Sequence, residues 1–166
     1  MINTLHYFKN NCTKNSFCWY SCAVILLMGL LLQTKLVQAK CSFVGVAPIS
    51  FGIYDVFSGS PNNNGVGTIS IDCKGAGHSS FVVRLSTGQS NSYVSRVMMS
   101  GGKRMYYNLF TSAARTVVWG DHTGGSATMG VYKNSVSTLN IFGQIPERQD
   151  VSVGLYTDNI IVTVDF

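Results

Sequence analysis

From residue 41 onward, apolar and polar residues alternate in short runs. Ile69, Ile71 and Cys73 share a face in V-G-T-I-S-I-D-C, as do Phe81, Val83 and Leu85 in F-V-V-R-L-S. Met105, Tyr107 and Leu109 repeat the pattern, Val117 and Trp119 lie two apart, and Leu139 with Ile141 and then Val151, Val153 and Leu155 continue it. The closing run places Ile160, Val162, Val164 and Phe166 on one face. A period of two marks half-buried β-strands. Turn-forming stretches separate the runs: S-G-S-P-N-N-N-G (58–65), K-G-A-G (74–77), S-G-G (100–102) and G-D-H-T-G-G (120–125). No window of useful length carries a helical stripe. Many short strands at this spacing predict an all-β, antiparallel sandwich with a structural last strand.

The N-terminal segment has another character. Lys9 and Lys14 precede an apolar run from Cys22 to Leu32, followed by Val37-Gln38-Ala39. This order predicts a secretory signal over residues 1–39, cut between Ala39 and Lys40, with a single domain over 40–166. The apolar run is shorter than the ~20 residues that span a bilayer. An uncleaved anchor is the competing reading. Three of the twelve basic residues, Lys9, Lys14 and Lys35, leave with the signal, while all seven acidic ones stay. The remaining charge is small and unclustered, so no electrostatic footprint for nucleic acid is visible.

Cys12, Cys18 and Cys22 fall in the predicted signal; Cys41 and Cys73 remain, 32 positions apart. Two cysteines in an exported chain read as a disulfide, worth roughly 3–4 kcal/mol through the loop it closes. A metal or redox pair would need CxxC-type spacing or nearby histidines.

Catalytic chemistry is sparse. His78 and His122 sit in Gly-rich turns, and Asp121 and His122 are sequence neighbours, whose side chains on a strand would point apart. Glu147 is the only glutamate, and neither a G-x-S-x-G elbow nor H-E-x-x-H occurs. No enzyme, cofactor, metal or small-molecule substrate is expected. Asp121 and His122 read as a hydrogen-bonded turn after a buried Trp119. Tyr106, Tyr107 and Asn108 suggest a stacking platform, but alternation favours Tyr107 as a core aromatic and sends Tyr106 the other way. The polar tip around Asn62–Asn64 reads as a tight loop before the strand that leads to Cys73.

Taken in order, several landmarks form a set. They are Cys41, I-S-F-G-I-Y-D (49–55), G-T-I-S-I-D-C up to Cys73, R-L-S-T-G-Q-S (84–90), Tyr93, Arg96 and Met98-Met99. Y-Y-N-L-F (106–110), R-T-V-V-W-G-D-H-T (115–123), G-Q-I-P (143–146), G-L-Y-T-D (154–158) and V-T-V-D-F (162–166) complete it. This set resembles the spore coat protein U domain, the fold unit of archaic, Csu-type chaperone–usher pilus subunits. The resemblance implies an incomplete immunoglobulin-like β-sandwich that lacks its last strand. It implies three partners: a periplasmic chaperone, an outer-membrane usher and neighbouring pilus subunits. It also implies passage through the periplasm to a fimbrium involved in adhesion and biofilm. The closing strand, Ile160 to Phe166, then borders the gap, with Ile160, Val162, Val164 and Phe166 lining it and Tyr107 and Leu109 as core neighbours. Donating subunits carry an alternating apolar tail ahead of the first cysteine, whereas a cut after Ala39 leaves only Lys40 there. The expectation is therefore a subunit that accepts a strand and does not donate one, placed at the end of a fibre as a tip or terminating subunit. Two alternatives stand beside it. One is a tip adhesin using loops 58–65 and 120–130, with Met129 as an apolar contact; the other is a secreted coat protein whose sandwich closes on itself.

Overall fold

The computed structural model describes residues 41–74, 80–132 and 136–165. The predicted cleavage site at Ala39 and Lys40, His78 and Phe166 lie outside them. Within the described residues the chain forms eight strands: β1 Ser42–Ser50, β2 Val66–Asp72, β3 Ser80–Leu85, β4 Arg96–Ser100, β5 Lys103–Phe110, β6 Met129–Tyr132, β7 Val136–Gln144 and β8 Val162–Asp165. A three-residue 3₁₀ turn, Gly88–Ser90, is the only helical element among these residues.

One sheet runs β1-β2-β7-β5-β4 and the other β6-β3-β8, with every strand pairing antiparallel. The core lies between them. Alternation in the sequence becomes alternation in burial: Ile69, Ile71, Phe81, Val83, Leu85, Met105, Tyr107, Leu109, Leu139 and Ile141 are all buried. Cys41 and Cys73 are disulfide-bonded and tie the entrance of β1 to the exit of β2. The architecture is that of an incomplete immunoglobulin-like β-sandwich.

Trp119 links the layers. Its backbone N–H donates to Leu109 O on β5 (2.9 Å) and its indole Nε1 to Val83 O on β3 (3.0 Å), so a fully buried ring touches one strand from each sheet. Tyr107 is buried and Tyr106 is half exposed, which makes the stacking platform a core aromatic beside an outward one.

Four expected features differ. Val117 is exposed, and Val118 and Trp119 make isolated bridges rather than a strand. Val151, Val153 and Leu155 form no strand: their segment joins β4 only through Thr157, paired with Met99, and a local bond from Tyr156 OH to Ser152 O (2.9 Å) curls it. The closing strand starts at Val162, with Ile160 ahead of it. Met129 opens β6 and packs against the core, so it is not an apolar tip among polar loop residues.

Candidate functional site

The polar loops are mostly occupied with holding themselves. Asp121 Oδ1 accepts from Thr123 N (2.9 Å) and Thr123 Oγ1 (2.6 Å). The Thr123 hydroxyl holds the Asp121 carboxyl below its ordinary range. His122 is exposed in a left-handed backbone conformation (φ 76°). The pair is a turn after a buried tryptophan. In the 58–65 loop, Asn62 exchanges backbone bonds with Ile145 (2.8 and 2.9 Å), and its Nδ2 donates to Phe51 O (3.0 Å).

The distinctive feature lies where β1 and β8 face each other across the open side of the sandwich. Cross-strand partners point to the same face. Phe43 pairs with Ile71 and Val46 with Ile69, so Phe43 and Val46 point inward. Ile69 and Ile71 are fully buried, yet Phe43 is 49% and Val46 62% exposed. The opposite wall behaves alike: Val162 pairs with Leu85 and Val164 with Val83. Leu85 and Val83 are buried, while Val162 and Val164 are half-buried. On each side, then, the second row of the core is dry and the first row is wet. Among the described residues no strand lies between β1 and β8; β1 is hydrogen-bonded only to β2, and β8 only to β3.

The resulting groove contains a cavity of about 320 Å³. Val46 to Ile49 line one side, Ile160 and Val162 the other, and Ile69, Leu85, Tyr107, Leu109 and Ile141 the floor. Of the wall residues expected from the sequence, Ile160 and Val162 line this cavity, Val164 packs against the core beside it, and Phe166 is outside the described residues. Tyr107 and Leu109 are floor residues.

The two walls are built differently. β8 is regular over V-T-V-D, with Arg84 Nε 2.7 Å from Asp165 Oδ2 reinforcing its pairing to β3. β1 is irregular, with register shifts between Phe43 and Gly45 and between Ala47 and Ser50. These shifts bring Phe43, Val46 and Ile49 inward at a spacing of three, which hides the wall from a period-of-two reading. Ile49 folds down over Gly67, where an added Cβ would lie 2.6 Å from its Cγ1.

Beyond the end of β1 the chain turns inward. Phe51 seats its ring on a notch of two glycines: a Cβ at Gly143 would lie 2.5 Å from it, and one at Gly65 closer still. The ring meets Tyr107 edge-on at 5.8 Å. Phe51 borders the groove on one side and a second cavity of about 500 Å³ on the other.

A polar network closes the floor. Tyr107 OH donates to Asp158 Oδ2 (2.7 Å), and Asp158 Oδ1 accepts from Gln89 N (3.0 Å) and Asn159 N (2.8 Å). Burial, then the Asp158 carboxylate, pushes the Tyr107 hydroxyl far above its usual range. Arg96, fully buried, donates to Ser86 O (2.9 Å), Asn108 Oδ1 (2.7 Å) and Trp119 O (2.7 Å), and lies 5.2 Å from the centre of the Tyr93 ring. Burial lowers its basicity. The network fixes the backbone on which Tyr107 and Asp158 border the groove. In the sequence Arg96 stands out only as part of the family set; nothing local marks it as buried.

No curated protein matches the sequence. Among solved structures, the chain is similar to the chaperone–tip adhesion subunit pre-assembly complex of the archaic chaperone–usher Csu pili of Acinetobacter baumannii. The two are 20% identical with a TM-score of 0.48, over 76% of this chain and 40% of that one. It is also similar to a chaperone–tip adhesin complex of CFA/I fimbriae biogenesis, at 14% identity and a TM-score of 0.43, over 77% of this chain and 42% of that one. The chain thus spans well under half the length of either. The family pattern of the Spore Coat Protein U domain matches residues 27–163. By that match, over most of its length, the chain belongs to the Spore Coat Protein U domain family.

Proposed function

We propose that the protein is a structural subunit of an extracellular bacterial fibre of the chaperone–usher kind, and that the groove between β1 and β8 accepts a foreign β-strand. The observation that carries this reading is the exposure of Phe43 and Val46 beside fully buried Ile71 and Ile69. A core with its first row exposed along both walls is short of one strand. β-Augmentation would supply it: backbone bonds to a free edge give affinity, and alternate apolar side chains fill the groove. Burying three or four such side chains is worth roughly 5–10 kcal/mol before ordering costs. Unfilled, the groove leaves a continuous apolar surface of the kind that drives aggregation.

In this reading a periplasmic chaperone fills the groove first. A neighbouring subunit's extension replaces it at the outer-membrane usher, and the assembled product is a surface fimbrium. Among the described residues, Ile160, Val162 and Val164 form one wall; Phe43, Val46 and Ile49 form the other. The work is mechanical, and no residue is assigned to catalysis. A cut between Ala39 and Lys40 leaves too little chain before Cys41 for a donor strand of ~5–6 residues. That makes the protein an acceptor suited to a fibre tip.

The test is to append an alternating apolar segment to the exported chain through a flexible linker. The fused protein is expected to be a monomer with a cooperative melt at any concentration, and the unfused one to stay monomeric only in dilute solution and to aggregate as concentration rises unless a chaperone is co-expressed. A stable, soluble unfused monomer whose melt the fusion leaves unchanged would favour the self-closed coat protein instead. Mass spectrometry of the mature N-terminus tests the acceptor-only part: a cut well upstream of Gln33 restores a tail and removes the argument.

A further inference from the structure

The cavity beyond Phe51 is not part of the β1–β8 gap, and its rim carries some of the most exposed apolar side chains in the molecule. Ile53 is 94% exposed where the chain leaves β1; Val153 and Leu155 are 106% and 83% exposed on the approach to β8. Ile53, Val153 and Leu155 line the cavity itself. Anchored neighbours hold these residues out. Tyr54 OH donates to Pro146 O (2.7 Å) and accepts from Gln149 N (2.9 Å), and Asn62 Nδ2 donates to Ile53 O (3.3 Å). Fixed, contiguous and apolar, the rim has the character of an interaction surface.

We propose that the segment filling the groove runs on past β8 and seats a bulky apolar side chain in this second cavity. The proposal rests on the strand-acceptor reading given above. Three observations carry it. The two cavities share Ile49, Phe51, Met98, Tyr156 and Thr157, so one leads into the other. Both walls continue in the same direction: from Val46–Ile49 to Ile53 on one side, and from Val162 and Ile160 back to Leu155 and Val153 on the other. An extended chain laid on β8 therefore passes off the N-terminal end of that strand directly between the two rims. Finally, β8 offers a ladder of only four residues among those described, which is short for a strand. A side chain anchored beyond the ladder makes up for that shortness. The occupant is extended polypeptide, because the second cavity is entered in line with two unpaired strand edges.

Synthetic peptides test this on the exported full chain. A core peptide carries eight alternating Val and Thr residues; two longer ones add Phe-Ser-Leu at the N- or the C-terminal end. Binding is measured by calorimetry. One extended peptide is expected to bind about tenfold or more tightly than the core peptide, the gain of one buried large side chain. The double variant Val153→Ser, Leu155→Ser should abolish that gain and leave the affinity of the core peptide as it was. Because both side chains are exposed, this variant is expected to fold like the parent. Equal binding of all three peptides, or a gain that survives in the variant, overturns the proposal. Failure of every peptide to bind overturns the acceptor reading, and this proposal with it.

Discussion

Gly143→Ala probes the packing of Phe51 between the two cavities. Gly143 lies on β7, and its N–H donates to Gly65 O (2.7 Å). An added Cβ would sit 2.5 Å from Phe51 Cζ and 2.7 Å from Cε1, well inside contact distance. Any retreat moves the ring toward one of the two cavities it borders and gives up its edge-on contact with Tyr107 at 5.8 Å. Overpacking of this kind costs about 1–3 kcal/mol. Replacing glycine by alanine within a strand returns about 0.5–1 kcal/mol through the unfolded chain. The net expectation is a loss of about 1–2 kcal/mol. Phe51→Leu removes the two clashing ring atoms at a cost of about 1 kcal/mol. In the Phe51→Leu background, Gly143→Ala should be neutral or stabilising by about 0.5 kcal/mol, a coupling near 2 kcal/mol. Urea unfolding of the four proteins measures it, with the fully buried Trp119 as fluorescent reporter. A coupling below about 0.5 kcal/mol would mean that Phe51 is not seated on the glycine notch.

Three further outcomes are expected. Arg96→Met strands the carbonyl oxygens of Ser86 and Trp119, leaves Asn108 Oδ1 with Leu109 N as its donor, and should cost about 3 kcal/mol or more in the same assay; a loss under about 1 kcal/mol would mean the guanidinium is not what binds these segments together. Replacing Cys41 and Cys73 by serine should cost about 3 kcal/mol, and amide exchange should quicken first in β1, which among the described residues has β2 as its only strand neighbour; uniform quickening would argue against a wall held by the disulfide. Asp121 has a lowered pKa in the folded state, so its contribution is complete above the ordinary value of 3.8 and fades as pH falls through the lowered one. Thr123→Val removes the main cause, and Asp121 should then titrate closer to 3.8 by NMR; an unmoved titration would discard the hydroxyl as the cause.

The strands that read clearly are those flanked by neighbours on both sides. β2, β3, β5 and β7 each bury the apolar residues of one face, so a period of two survives in their residues from Ile69 to Ile141. The groove was half legible. Its β8 wall follows the same period, through Val162 and Val164. Its β1 wall does not, because two irregularities in pairing bring Phe43, Val46 and Ile49 inward three apart, with Gly45 and Pro48 between them. The V-S-V-G-L run misleads for the opposite reason: it alternates, but apart from the pairing of Thr157 with Met99 its segment has no strand beside it among the described residues, and Val153 and Leu155 are left exposed. Alternation records which side chains are apolar and says nothing of whether a second strand is present to cover them. Arg96 is hidden for a related reason. Its partners are two carbonyls and one amide oxygen gathered from distant segments, and no spacing in the chain announces them.

Amide hydrogen exchange at β8 bears most directly on the missing strand. Half of the N–H and C=O groups of Val162–Asp165 pair with β3, and the rest face the gap. In the chain alone, the amides on that free edge should exchange within seconds to minutes while those bonded to β3 stay protected. Adding a chaperone or a complementing segment should slow the free-edge amides to the rate of the core. Free-edge amides already protected in the lone chain, and unchanged by any added strand, would contradict the acceptor groove.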